Sequence, residues 1–328
     1  MDPKPSFPIG TRASTMALAQ TRAAADRLNA AFPGLGAAPA PLSTRGDRDQ
    51  VSRLERHGGK GGAFVEEIRA ALRDGRIAAA MHSLKDMPGD EEAPGLVIGA
   101  VLPREAPGDA LALRPGLALD DFLARRGEGF VIGAGSVRRT AYLRRLWPGA
   151  RVVHYRGAAD TRLRKLDEGV PQKLPDGGET PPADALVMAR AGLDRIGASD
   201  RAAYDFPYSA MLPAIGQGVV ALECRADAFA VREKLARIDD APTRAAIEAE
   251  REVLWVLNGH CNAPIAGHAR LEGETLHLKA AVLSEDGAAL IEAEADGPAA
   301  RPRALGRAVG LALIEKGARA LIDASRPA

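Results

Sequence analysis

Strand-length apolar runs alternate with amphipathic stretches over the first two thirds of the chain. The runs at 7–11, 77–81, 96–102, 109–113, 130–133, 151–155, 185–188 and 219–223 predict buried strands, and 42–45 predicts the end of another. Between them, apolar residues recur at helical spacing. Leu18, Ala25, Leu28 and Phe32 mark a helix from Thr15 that Pro33 and Gly34 close, and Phe64, Ile68 and Leu72 mark one that Gly75 stops. Helices are predicted again over 137–147, from Thr161, and as a short element ending at Arg195. Strand, loop and helix in repetition imply a parallel sheet with crossover helices. Two segments interrupt the rhythm: 103–108 predicts a crossing into a second lobe, and the turn-rich 212–218 predicts the return. Residues 170–182, rich in Pro and Gly, predict an exposed surface loop.

Beyond Asp240 the periodicity changes. Pro242 opens a long helix with Ile247, Leu254 and Leu257 on one face, and a loop over 258–264 carries Cys261. Strands near 267–271, 275–283 and 288–293 follow, with turns at Glu272-Gly273 and 285–287 that suggest antiparallel pairing. A helix over 304–315 closes the chain. The expected fold class is α/β: two α/β lobes plus a small C-terminal α+β domain. The expected boundaries are 1–104 with 219–238 for the first lobe, 105–218 for the second and 239–328 for the third domain.

A length of 328 residues suits two or three domains, and an apolar share of 46% fills their cores. The formal net charge of +1 excludes a bulk polyanion binder, so any basic site is a local concentration of arginine. Aromatic residues make up 4%, which argues against stacking platforms for single-stranded nucleic acid. Residues 1–10 hold prolines and charges but no apolar core of signal-peptide length. No stretch is long and apolar enough to span a bilayer. The expected compartment is cytoplasmic, with neither a membrane nor a nucleic acid as partner. Cys224 and Cys261 form neither a disulfide framework nor a zinc spacing, and no metal is expected.

The chemistry centres on 79–89. An apolar strand ends abruptly in His82, Ser83, Lys85 and Asp86, and Pro88 blocks any helical continuation. In open α/β sheets such loops are where ligands sit. Lys85 suits an anion and Asp86 a proton; the plainer alternative is a surface turn with a solvated ion pair. The placement then repeats. Arg12 and Ser14 lie at a strand-to-helix junction beside free N–H groups. Gly133, Gly135 and Ser136 precede a helix with Arg138 and Arg139 in its first turn, Arg138 standing where a dinucleotide fingerprint needs its third glycine. Two arginines at the positive end of a helix are electrostatically costly: either a bound anion offsets that cost or both side chains turn to solvent. Arg156, Arg162 and Arg195 occupy similar loop and helix positions, and Gln217 either bonds a ligand or faces water. The glycine-rich loop at 57–62, with Lys60, lacks the full phosphate-loop pattern and reads as a flap. Arginine grips carboxylates bidentately, and hydrogen bonds to charged groups contribute about 1.5–3 kcal/mol each. So many cations in one cleft suit a ligand with many carboxylates, not one phosphate.

Taken in order, the stretches 10–14, 44–47, 58–61, 82–88, 136–139, 155–157, 161–163, 191–195, 212–218, 223–225 and 261–265 resemble the porphobilinogen deaminase (hydroxymethylbilane synthase) family. The resemblance runs from about Ile9 to the C-terminal helix. It implies two lobes like those of type II periplasmic binding proteins, and a third domain carrying a dipyrromethane cofactor joined to Cys261 through a thioether. The implied reaction condenses four porphobilinogen molecules head to tail, releasing ammonia at each step, and water frees the hydroxymethylbilane. Each substrate carries an acetate and a propionate, which matches the arginine count. By the same resemblance, Asp86 stabilises pyrrole nitrogen cations and assists loss of ammonia. Arg12, Ser14, Lys60, Ser83, Lys85, Ser136, Arg138, Arg139, Arg156, Arg162, Arg195 and Gln217 hold cofactor and substrate, and the protein is a monomer.

The chain departs from the family's pattern at Ala158, where Asn is usual, at Ala134 and Gly135, which replace a hydroxyl pair, at an apparent extra residue after Gly61, and at His260 and Arg190. These bear on turnover and substrate fit more than on reaction type. Two other classes compete. A binding protein clamping a dicarboxylate has two such lobes, but the third domain with its loop cysteine stands against it. A paralogue acting on another pyrrole is supported by the departures alone. An effector-binding regulator needs a helix-turn-helix segment, for which the N-terminus is too short.

Overall fold

Buried on both faces by helices, the strands of the first two lobes read as continuous apolar runs, as parallel-type sheets do. The computed structural model describes residues 6–42, 65–89, 93–173, 178–260 and 263–326. The chain opens with β1 (Phe7–Arg12) and α1 (Thr15–Ala31), whose N-cap Ser14 accepts a hydrogen bond from the Ala17 N–H at 3.3 Å. Then come β2 (Ala37–Leu42), α2 (Glu66–Arg73), β3 (Ala79–Ser83), a 3-10 turn over Leu84–Asp86, and β4 (Leu96–Val101). The second lobe holds β5 (Asp109–Leu113), α3 (Leu119–Ala124), β6 (Val131–Ala134), α4 (Val137–Leu146), β7 (Arg151–His154), α5 (Ala159–Asp167), β8 (Ala185–Ala189), α6 (Arg190–Arg195) and β9 (Tyr204–Asp205). The chain returns as β10 (Val220–Arg225) and α7 (Phe229–Ala236). It ends in α8 (Ala241–Leu257), β11 (Ile265–Glu272), β12 (Thr275–Leu283), β13 (Leu290–Pro298), α9 (Pro302–Glu315) and α10 (Ala318–Ala324).

The first sheet runs β2-β1-β3-β10-β4 and the second β7-β6-β8-β5-β9. The two orders correspond position by position. In each, three parallel strands are followed by one antiparallel strand that has come from the other lobe. The sheets are therefore mixed, not parallel as the repeated pattern predicts. A strand arriving from the crossing enters at the edge where the parallel strands leave, so it must run the other way: Asp109 pairs with Ala189, and Val220 with Ser83. β2 escapes the apolar pattern because Pro39 and Pro41 sit in it, which an edge strand tolerates. The short α3, with Phe122 buried, and α7, with Leu235 buried, show too little periodicity to be predicted. Residues 43–45 lie outside the described residues.

The segment 170–182 is tied down more than its composition predicts. Gln172 and Thr180 are buried, and they bond each other across the loop, Gln172 N–H to Thr180 Oγ1 at 3.1 Å and Thr180 N–H to the Gln172 carbonyl at 2.9 Å. The Gln172 side chain also accepts from the Arg156 N–H at 3.1 Å, satisfying the backbone just past β7.

In the third domain the antiparallel sheet β11-β12-β13 carries α8 and α9 against one face. Asp240 caps α8, accepting from the Thr243 N–H at 2.9 Å, and Asn258 ends it in the left-handed conformation. Ala266, Ala281 and Leu283 continue into the core of the second lobe beside Tyr142, Met211 and Leu212. The crossings are thus held between three packed bodies.

Candidate active site

A cleft of about 500 Å³, its open mouth included, lies between the two lobes. The first lobe lines it with Met16, Ser83, Lys85 and Asp86, and the second with Arg139, Ala159, Arg162, Met188 and Arg195 among others. Gly216, Gly218 and Val219 of the return crossing complete the wall. This is the C-terminal edge of both sheets, where strand order switches and ligands of α/β folds bind.

Lys85 and Asp86 reach the cleft because the turn that carries them is anchored. Leu84 is buried with Met87, Val101 and Val219. Gly216, at φ +72°, passes so close that a side chain there would meet Leu84. Lys85 Nζ donates to Gln217 Oε1 at 3.1 Å, and Ser83 Oγ lies 3.2 Å from Gln20 Nε2. Across the cleft, Arg162 packs against Gly135, where a Cβ would come within 3.0 Å of its Nη1. Burial lowers the Arg162 pKa, with Arg139 adding to the effect and Asp86 and Asp160 opposing it, to about 10. Asp86 and Arg162 therefore attract each other from opposite lobes. The Arg162 Nε is shielded from water and has no hydrogen-bond partner among the described residues, so it suits a carboxylate. Arg195 forms an ion pair with Glu105 at 2.7 Å and donates to the Gly218 carbonyl at 3.3 Å.

Other residues singled out in the sequence lie at strand ends and helix starts of the two lobes, outside the residues that line the cleft. Arg12 ends β1, and Arg156 lies two positions past the end of β7. Ser14 and Ser136 are the N-caps of α1 and α4, Ser136 accepting from the Arg139 N–H at 3.3 Å. Thr15 Oγ1 reaches Asp160 Oδ2 at 3.4 Å, joining the starts of α1 and α5 across the lobes. Two residues are not where the sequence puts them. Arg138 is buried, outside the cleft lining, and not solvated: it pairs with Asp109 at 2.7 Å. Gln217 is also buried, with its amide fully bonded within the protein. Asp109 itself was missed, though an acid opening an otherwise apolar strand signals a buried charge needing a cation. Lys60 and Cys261 lie outside the described residues. His260 Nε2 lies 3.1 Å from the Ile322 carbonyl and 3.4 Å from Ser325 Oγ, so that ring nitrogen faces the C-terminal helix.

The family model for the porphobilinogen deaminase dipyrromethane cofactor binding domain matches residues 7–233, and that for the porphobilinogen deaminase C-terminal domain matches 245–315. The chain belongs to the porphobilinogen deaminase family. A porphobilinogen deaminase of Desulforudis audaxviator is 43% identical over 94% of both chains, and one of Syntrophobacter fumaroxidans is 39% identical over 96% of both. Among solved structures the chain is similar to the periplasmic VFT2 domain of Bordetella pertussis BvgS, with TM-score 0.39 and 16% identity over 71% of this chain and 86% of that one. The activity is that of a porphobilinogen deaminase: four porphobilinogen molecules are condensed head to tail, with loss of ammonia, on a dipyrromethane cofactor. The cation-lined cleft and the orphan Arg162 Nε fit a cofactor and substrates rich in carboxylates. No helix among the described residues is long and apolar enough to cross a membrane.

Proposed function

We propose that Asp86 is the catalytic carboxylate and that Lys85, Arg139, Arg162 and Arg195 hold the acetate and propionate groups of porphobilinogen and of the cofactor. What supports this most is one observation: among the described residues lining the cleft, Asp86 is the one carboxylate, and it shares the cleft with cations from both lobes. When bound, the dipyrromethane supplies the pyrrole carbon on which the product is built. Asp86 stabilises the positive charge that develops on a substrate pyrrole nitrogen as ammonia leaves. Its carboxylate then receives the proton released when the new carbon–carbon bond restores the aromatic ring. The guanidinium forks fix the ring plane by gripping its two carboxylates. Arg12, Ser14, Ser83, Ser136 and Arg156 serve the same ligands from the rim, and Lys60 from the glycine-rich loop. Gln217 acts on them through Lys85.

We place the cofactor's thioether on Cys261 and the domain boundaries at 1–104 with 219–238, 105–218 and 239–328. The protein acts as a cytoplasmic monomer with no nucleic-acid partner. The test is Asp86→Asn, assayed for ammonia release and for product. Retained ammonia release at the wild-type rate would remove Asp86 from the chemistry.

A further inference from the structure

Arg138 and Arg139 stand side by side in the first turn of α4, where the helix dipole disfavours cations. The anion that offsets them belongs to the protein. Asp109, fully buried at the start of β5, places Oδ2 2.7 Å from Arg138 Nη2, and its Oδ1 accepts from Arg139 Nε at 2.9 Å and Nη2 at 2.7 Å. Burial alone would raise the Asp109 pKa, but the two guanidiniums and Gln217 outweigh it and bring it down to about 2.

The two arginines then diverge. Arg138 is 3% exposed and donates its Nη1 to the Leu212 carbonyl at 2.6 Å, so its charge stays inside the fold. Arg139 lines the cleft. Gln217 ties a third cation to the same centre. Its Nε2 donates to Asp109 Oδ1 at 3.0 Å and to the Pro107 and Gly108 carbonyls at 2.7 and 3.1 Å. Its Oε1 accepts from Arg139 Nη2 at 3.2 Å and from Lys85 Nζ, in the other lobe, at 3.1 Å. Those contacts also fix which way the amide points.

We propose that Asp109 is a positioning residue for ligand binding, holding Arg139 at the cleft wall and, through the Gln217 amide, Lys85 of the opposite lobe, so that two cations from two lobes meet one carboxylate-bearing ligand in fixed register. This rests on the cleft reading above. Arg and Lys side chains are rich in rotamers, and fixing them on a ligand costs that freedom. Ordering them before the ligand arrives removes that cost from binding. Arg138 has the separate task of balancing the buried carboxylate.

The experiment separates these tasks. Asp109→Asn strands Arg138 and should lower thermal stability. The compensated double variant Asp109→Asn with Arg138→Gln turns the ion pair into an amide pair and should regain most of the lost Tm. Holoenzyme of the double variant should still show a KM for porphobilinogen raised about tenfold or more, the loss of one charged hydrogen bond, with kcat reduced less. Its apo form, incubated with hydroxymethylbilane, should also take up cofactor more slowly, read as intact mass. A double variant with KM and uptake within twofold of wild type would reduce Asp109 to a structural counter-ion and overturn the proposal. Gln217→Met provides a second arm if the double variant does not fold. It leaves both arginine pairs in place and releases Lys85, so KM should rise severalfold; an unchanged KM overturns the proposal. Arg139→Gln tests the cleft reading itself. If its KM is unchanged, that reading fails, whatever the Asp109 variants do.

Discussion

Glu250, on α8 of the third domain, accepts the Gly216 N–H on Oε2 at 2.8 Å while both its oxygens face the guanidinium of Arg104. Gly216 belongs to the return crossing and Arg104 to the outgoing one. Glu250 Oε1 also accepts the Ala269 N–H of β11 at 2.7 Å, and Arg104 Nε donates to the Gln217 carbonyl at 3.0 Å. One fully buried carboxylate thus fastens both crossings to the third domain. Removing it leaves the largely covered Arg104 guanidinium without this counter-charge.

Glu250→Ala should therefore destabilise the protein by about 3–5 kcal/mol, the usual cost of breaking a buried pair from one side. Glu250→Gln keeps the shape and one carbonyl oxygen, so it should cost less. Urea unfolding followed by circular dichroism measures both. An Ala variant within about 1 kcal/mol of wild type would mean that the crossings are held by apolar packing instead.

Strands and long helices were legible because burial imposes a period, and both crossings because Pro and Gly cluster there. Strand direction in β5 and β10 was not. Local sequence records that Asp109–Leu113 is apolar, but not that it enters the sheet from the cleft edge. The cation count pointed to a polycarboxylate site, yet Arg138 and Arg139 are neighbours with identical side chains. Asp109 pairs with both; what separates them is the Leu212 carbonyl, 74 positions away, which Arg138 bonds, and Gln217, which Arg139 bonds. From the sequence Gln217 reads as ligand-bonding or solvated for the same reason: its five side-chain partners come from both lobes and the outgoing crossing.

Stability should fall in two stages as the solution is acidified. His268 is packed beside Tyr208, and burial, opposed by Glu250, lowers its pKa from the ordinary 6.5 to about 4. Below 6.5 the unfolded chain binds the proton that the folded one refuses, so stability declines from about pH 6.5 to 4. Two carboxylates act lower. Asp109 and Glu223, the latter bonded to Arg69 at 3.0 Å and His82 at 3.3 Å, both sit at about 2 although burial pushes them up. Their contribution, about 2–3 kcal/mol each, is full above the unfolded carboxylate range and is lost as the pH drops from about 4 to 2. Urea titrations from pH 7 to 2 should show both stages. His268→Asn should abolish the upper one and leave the lower.

Arg162 should distinguish charge from geometry. Its Nε has no acceptor among the described residues, so a ligand carboxylate gains a fork there. Arg162→Leu should raise KM by about tenfold or more, and Arg162→Lys should recover only part of that, since an ammonium cannot form the bidentate pair. Steady-state kinetics in porphobilinogen decide it. Equal KM values for Leu and wild type would return Arg162 to a purely structural place beside Gly135.

Asp86→Asn keeps the size of the side chain and removes the charge that the proposed mechanism sets against the developing cation. A positioned acid–base group contributes typically 10²–10⁴-fold, so product formation should fall by about that factor. The fold should survive, because Leu84, not Asp86, anchors the turn. A rate within a few-fold of wild type, with a full complement of cofactor, would transfer the role to another group.

The two cysteines should behave oppositely. Cys224 is fully buried in β10, and burial, opposed by Arg232, pushes its thiol up to about 11. Such a thiol is almost wholly protonated at neutral pH, and the thiolate is the nucleophile. In the sequence Cys261 follows the end of α8 by four positions, between Gly259 and Pro264. The wild-type protein should be heavier than its sequence by one dipyrromethane and should colour with Ehrlich's reagent. Cys261→Ala should lose the added mass, the colour and the activity together. Cys224→Ala should keep all three, with a modest loss of stability from the small cavity in the first lobe's core. If instead the Cys261→Ala protein still carries the extra mass, the thioether is formed elsewhere, and the assignment of the anchor to the third domain is wrong.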